Sequence, residues 1–453
     1  MFNESLTWKL WLRTTIPNNL SWRGALLQKY AQGLTSRSFS QWIERAGVTG
    51  LFVFAFGMLF KKDVANAGIL LMALSFGLSL KHLDQQVIRD RLLLLSMGFF
   101  LFLVLRTFFA ALEFPEQTSL LVAAALRLFG AGFFLAYVVA FWMHRARERW
   151  DLILIVIMFG FLVQVLRQMD WGNLSEVMKL YWTGDQRPTF GFATNRFGLF
   201  CAFLFLACVL LPQQVWGSAA ARIAYSSRIV FWGVMCCFTV WGVIFSQSRS
   251  AWVASVLVIP LAVVVKFYRA NRLNWKMIGL VGVFSSLVLM TIAYSNLAEK
   301  RLALLDYEGG VSIRLRLYQI GWEKLKEAPW VGHGPGTSRI LIQATGEKIG
   351  PEKGVDHFHN VLIDIFAQVG IIGVAFYVSS FFLIIRQARF IMPTGAAGED
   401  YRLFAISGIV LILLTGVPNQ PLTSPHGVYL IGYLGGICYS SKFTTPHSNR
   451  PVP

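Results

Sequence analysis

The chain has 453 residues, 55% of them hydrophobic and 14% charged, with a formal net charge of +18. That apolar fraction exceeds what a soluble core consumes, so an ordinary water-soluble domain is excluded and the surplus must face lipid. The basic excess, once placed along the chain, follows membrane topology and anionic lipid rather than nucleic acid, which is not expected as a partner.

Residues 1–43 are mixed and amphipathic, with Trp8, Trp11 and Trp22 beside Lys9, Arg13 and Arg23. They read as a cytoplasmic, surface-lying segment rather than a cleavable signal peptide. Apolar runs long enough to cross a hydrocarbon layer of roughly 30 Å then recur. The first group, within 44–294, comprises 44–60, 64–80, 92–112, 118–142, 152–166, 191–211, 229–246, 250–265 and 277–294. Only Lys61, Lys62 and Asp63 separate the first two, which predicts a tight hairpin. After a long polar stretch at 295–360, three further runs, 361–385, 403–417 and 426–440, lead to a short cytoplasmic tail at 441–453. The expected fold is therefore an all-α polytopic membrane protein of about twelve transmembrane helices, with one large, partly helical outer loop.

Orientation follows from the cations. With the N-terminus inside, the cytoplasmic loops receive Lys81, Arg89 and Arg91, then Arg145, Arg147 and Arg149, then Lys266, Arg269, Arg272 and Lys276, and finally Lys442 and Arg450. The opposite loops receive few apart from Lys61 and Lys62, which places both termini inside. The five cysteines lie within or at the edges of apolar runs and read as small core hydrophobes. Arg106 and Arg127 fall inside predicted spans, where a charge is costly and needs a partner or water.

Three outer segments carry too many polar and turn residues to be plain connectors. The first, 167–190, contains Asp170, Asp185 and Arg187 and enters the next span through Thr194-Asn195-Arg196. The second is the turn Ser246-Gln247-Ser248-Arg249-Ser250, where hydroxyl and amide groups beside one guanidinium suit phosphate oxygens. The third, 295–360, holds Arg314 and Arg316, then a predicted amphipathic helix from Leu317 to Ala328 with Tyr318, Trp322 and Leu325 on one stripe. Arg314 and Arg316 would point the same way on an extended segment and diverge by roughly 200° on a helix. Pro329 ends the helix before Gly332-His333-Gly334-Pro335-Gly336. At the start of the tenth span stands Asp356-His357-Phe358-His359-Asn360. His359 is the sharpest candidate base, because an imidazole takes up a proton near neutral pH. On a helical turn Asp356, His359 and Asn360 would share a face and the carboxylate could orient the ring. A metal reading of the two histidines is weaker, since on a helix they point apart and no further outer cluster completes a shell. Neither metal nor cofactor is expected.

These motifs resemble a known family. Pro329-Trp330-Val331-Gly332-His333-Gly334-Pro335-Gly336, followed by His359-Asn360 and then Gly370-Ile371-Ile372-Gly373, resembles the characteristic region of the O-antigen ligase and polymerase superfamily. Ser246 to Trp252 resembles its Ser-Arg turn, and Arg187 through Gly198, with Asn195 and Arg196 between, resembles its first outer motif. The resemblance implies a metal-independent, inverting GT-C-type glycosyltransferase of lipopolysaccharide biosynthesis, in the bacterial inner membrane with its active site facing the periplasm. The implied donor is O-antigen on undecaprenyl diphosphate, and the implied acceptor is a sugar hydroxyl of lipid A-core. His359 matches the family's base, and Arg187 with Arg314 or Arg316 matches its diphosphate-binding arginines. Arg249, His333, His357, Asn360, Asn195 and Arg196 are the further candidate substrate contacts. Two rivals remain: an O-antigen polymerase of the same superfamily, and a lipid-linked glycan transporter. The transporter would require polar residues through the bilayer midplane and symmetry-related repeats, which the sequence does not display.

Overall fold

A computed structural model describes residues 20–80, 85–129, 133–183, 186, 188–211, 225–270, 282, 286, 311–347, 357–388, 396–416 and 424–443. Every regular element among these residues is helical. The main helices are α1 (Leu20–Met58), α2 (Lys62–Ser79), α3 (Arg91–Glu113), α4 (Thr118–Phe129), α5 (Leu135–Arg145), α6 (Trp150–Gln168) and α7 (Leu174–Thr183). They continue as α8 (Thr194–Leu210), α9 (Tyr225–Phe245), α10 (Arg249–Arg269), α11 (Val311–Glu327), α12 (Ser338–Gln343), α13 (Val361–Ala388), α14 (Ala396–Gly416) and α15 (Pro425–Tyr439).

Helices Arg91–Glu113, Arg147–Gln168, Arg249–Arg269 and Val361–Ala388 are long and apolar enough to cross a membrane. Asn195–Leu210 and Val230–Phe245 are shorter apolar helices. The predicted runs fall on helices, except that 277–294 lies outside the described residues save for Gly282 and Ser286. Two boundaries differ from expectation. α1 begins at Leu20, so helix continues without a break across the 43/44 division. The run 118–142 is two helices, because Phe133 between them has φ 86, a left-handed conformation that a bulky side chain cannot hold inside a continuous helix.

Apolar packing joins α1 to α2 and α6, α8 to α9, α10 to α14, α5 to α15, and α3 to α13. The main core runs through these pairs, with Phe54, Trp142, Phe161, Phe200 and Tyr433 fully buried. The helix polarity sorts the bundle ends. At one end lie the basic turn Arg147–Arg149, the Lys266–Asp400 ion pair at 3.1 Å, and Asp90, which accepts from Leu92 N–H at 2.8 Å and from Tyr439 Oη at 2.7 Å. At the other end α1 finishes beside the start of α15, where His426 Nδ1 bonds the Met58 carbonyl at 3.0 Å. The starts of α4, α8 and α13 gather at that second end, and the candidate site opens among them.

Candidate active site

The site is framed by a break in α13. Gly370 has φ 62 and ψ −168, a backbone region essentially reserved for glycine, and it interrupts the helix two turns below its start. The interruption releases backbone groups that a continuous helix would consume. The segment Pro329–Gly334 takes them up. His333 N–H donates to the Ala367 carbonyl at 2.9 Å and Gly334 N–H to Gln368 at 2.8 Å, while Ile371 N–H donates to Pro329 at 2.9 Å and Ile372 N–H to Trp330 at 3.1 Å. The two chains approach so closely that a Cβ on Gly332 would lie 2.4 Å from Gln368 main-chain atoms, and one on Gly370 2.5 Å from Trp330. Arg106, in the middle of α3, donates from Nη2 to the Gly332 carbonyl at 2.6 Å. The glycine-rich turn is thus lodged among the spans rather than draped outside them. That contact also supplies the partner Arg106 requires within a span.

A small second core fixes the histidines. Leu317 and Ile320 of α11, Leu341 and Ile342 of α12, and Phe358 are buried together. The packed stripe of α11 is therefore Leu317/Ile320, not the predicted Tyr318/Trp322/Leu325 stripe; Trp322 is 56% exposed. With Phe358 fully buried, His357 and His359 on either side turn toward the cavity, their rings 4.3 Å apart between centroids. The expectation that these rings point apart is corrected, because residues 357–360 precede α13 and are not helical. His359 itself has φ 52, and its carbonyl accepts from Tyr318 Oη at 3.3 Å. Asp356 lies outside the described residues. The buried carboxylate near this loop is Asp364, whose Oδ1 accepts from Phe358 N–H at 3.4 Å.

Gln368 ties the parts together. Its Nε2 donates to Asp364 Oδ2 at 2.7 Å and to Ser338 Oγ at 3.0 Å, and its Oε1 accepts from Gly336 N–H at 2.7 Å. One amide therefore joins α13, the glycine turn and the start of α12.

These elements enclose a cavity of about 560 Å³, within the range of small-molecule sites. His357, His359 and four arginines line it: Arg127 of α4, Arg196 of α8, Arg314 of α11 and Arg339 of α12. Asn195, Asp364, Gln368, Ser338 and Ser424 complete its polar wall. Burial, then the neighbouring His357 and Arg314, pull the His359 pKa down to about 4, so the ring is neutral with a free lone pair at neutral pH.

Residues 234–378 match the family model described as O-antigen ligase. No curated protein matches the chain. The matched region spans the Ser-Arg turn, Arg314, the glycine turn, His359 and the Gly370 break. Arg127, Asn195, Arg196 and Ser424 come to the same cavity from outside the matched region.

Several sequence candidates stand elsewhere. Because α11 starts at Val311, Arg314 and Arg316 are both helical and diverge: Arg314 lines the cavity, while Arg316 Nε donates to Glu347 Oε2 at 2.8 Å. Asn360 caps α13, its Oδ1 accepting from Leu362 N–H at 2.9 Å. The His333 ring bonds the Lys324 carbonyl at 2.8 Å and does not line the cavity. In the Ser-Arg turn Ser246 donates to the Val243 carbonyl and Ser248 caps α10, accepting from Ala251 N–H, while the Ser248 and Ser250 hydroxyls bond each other at 3.2 Å. Arg249 is exposed and outside the cavity lining. Gly198 packs against this turn, a Cβ there meeting Ser246 Oγ at 2.5 Å. Arg187 lies outside the described residues. Sequence reasoning missed Arg339 and gave Arg127 no role; an arginine inside a span is the signal that pointed to Arg127. The described residues contain no group of three His, Cys, Asp or Glu placed to hold a metal ion.

Proposed function

We propose that this protein is an O-antigen ligase that moves polysaccharide from undecaprenyl diphosphate to a sugar hydroxyl of lipid A-core, at the periplasmic face of the bacterial inner membrane. The observation that carries the reading is the meeting of one neutral histidine with four guanidiniums in a single cavity beside the O-antigen ligase motifs. Glycosyl transfer from a diphosphate needs both functions. His359 accepts the proton of the attacking hydroxyl as its oxygen bonds to the anomeric carbon. The bond from that carbon to the diphosphate oxygen breaks on the opposite face, so configuration inverts and the electron pair leaves with the lipid diphosphate. Arg314, with Arg127, Arg196 and Arg339, stabilises the charge gathering on that leaving group. In this reading Arg187 is a further donor contact, and the arginines supply the charge neutralisation that a divalent ion supplies elsewhere.

The cationic surroundings give His359 a substrate-dependent basicity. Its pKa is depressed partly by Arg314, and a diphosphate bound to Arg314 cancels that influence. The donor thereby strengthens the base that uses it. Asp364 and Gln368 hold the His359 loop and the glycine turn in register.

The family also embraces polymerisation, and one experiment separates the two products. Purified protein receives lipid A-core and an undecaprenyl-diphosphate glycan together, without added metal. Capped core is the expected product. A lengthened donor with the core untouched would make the protein a polymerase instead.

A further inference from the structure

A second cavity, of about 490 Å³, opens at the opposite end of the bundle. Gln41, Glu44, Arg45, Val48, Thr49 and Phe52 of α1 form one wall. Arg145, Ala146, Glu148 and Arg149 form the other, where α5 runs into the turn before α6. Arg45 and Met58, whose carbonyl bonds His426 next to the cavity-lining Pro425, are separated by helix length alone by about 20 Å at 1.5 Å per residue. The two cavities therefore cannot share one small ligand.

We propose that this second cavity holds the headgroup of an anionic phospholipid of the inner leaflet, with its phosphodiester against Arg45, Arg145 and Arg149. Three observations carry this. First, no ion pair among the described residues involves any of the three guanidiniums, although Glu44 and Glu148 share the lining and Glu44 attracts Arg145 at longer range. Arg145 instead lies over the Phe141 ring, its Cζ 3.7 Å from the centroid, a cation–π contact that positions the guanidinium without consuming its N–H donors. Second, the lining has one net positive charge, which suits a phosphodiester with a neutral polyol; its hydroxyls can donate to the two carboxylates. A headgroup bearing a quaternary ammonium has no such donors. Third, the apolar residues of the wall, Val48 and Phe52, are the next turns of α1 toward the bundle interior. They offer acyl carbons a track leading away from the charged mouth, while Phe39 and Trp42, 54% and 70% exposed, flank that mouth as interfacial aromatics do.

The test uses the purified full chain and native mass spectrometry with three probes: phosphatidylglycerol, phosphatidylcholine of the same acyl chains, and inorganic phosphate. Phosphatidylglycerol should be retained at least about tenfold more tightly than phosphatidylcholine, and millimolar phosphate should not displace it. Arg45→Gln/Arg149→Gln should bring the two lipids to within about twofold of each other. Both residues are exposed, so the fold is expected to survive, with elution as a single species and unchanged helical circular dichroism as the check. Should the pair fail that check, Arg149→Gln alone, in the turn, should still narrow the gap about threefold. Equal retention of both lipids, displacement by phosphate, or a preference that persists in a folded variant would each overturn the proposal. None of these outcomes bears on the transferase reading, which uses other residues.

Discussion

Replacing Gly370 by alanine probes the joint on which the site depends. At φ 62 and ψ −168 an L-residue is strained by about 1–3 kcal/mol. The new Cβ would also stand 2.5 Å from Trp330 main-chain atoms and 2.6 Å from Gly332 N, so the loop must withdraw. Withdrawal releases four main-chain hydrogen bonds, at His333, Gly334, Ile371 and Ile372. At about 1 kcal/mol net each, these bring the total to roughly 5–7 kcal/mol, comparable with the whole stability of many proteins. The apolar bundle remains, so the expected outcome is local: an inserted, helical protein whose glycine turn is undocked. Hydrogen exchange followed by mass spectrometry should show peptides covering 329–336 and 367–373 losing protection by about a thousandfold, the equivalent of some 4 kcal/mol. Transfer activity should fall with it. Gly98→Ala is the control, since a methyl there meets only Phe376, at an ordinary 3.5 Å. Unchanged protection in Gly370→Ala would refute the claim that this glycine holds the turn in place.

Other outcomes follow from the site. His359→Ala should leave expression and insertion intact while lowering transfer by about 10²–10⁴-fold, the usual contribution of a general base; near-normal transfer in vitro would remove the histidine from the chemistry. The neutral ring is the active form, so activity should be lost as pH falls through its depressed value, placing the acid limb of kcat/KM near pH 4 rather than 6.5. His357→Asn removes the neighbouring imidazole that helps depress the His359 pKa and should move that limb upward; a limb that stays put would show that this neighbour is not felt. The two arginines of α11 should separate, Arg314→Ala losing transfer through donor engagement and Arg316→Ala, whose side chain bonds Glu347 and Gln319 outside the cavity, keeping most of it. Equal losses would contradict the division of their roles.

How far the sequence could be read depended on the kind of signal. Apolar run length located the helices because the bilayer imposes a length that little else does. His359 stood out because an imidazole beside the tenth span can take up a proton near neutral pH. The role of the Gly370-Ile371-Ile372-Gly373 motif was not legible, because its meaning is a partner: the first glycine opens α13 so that a turn nearly forty residues earlier can bond into it. The expected helical face of Asp356, His359 and Asn360 also failed at His359, where the left-handed backbone and the burial of Phe358 set the side-chain directions.

What the sequence determined by itself was the solvent, since apolar excess requires lipid, and the distribution of cations along it gives an expected orientation. Those are sums over many residues, insensitive to where any single side chain points. Which arginines meet was decided only by the tertiary structure. Arg127, Arg196, Arg314 and Arg339 come from four helices, and Arg316 and Arg249 turn elsewhere. Convergence of that kind depends on helix register and crossing, where a shift of one residue rotates a side chain by about 100° and sends it to another face.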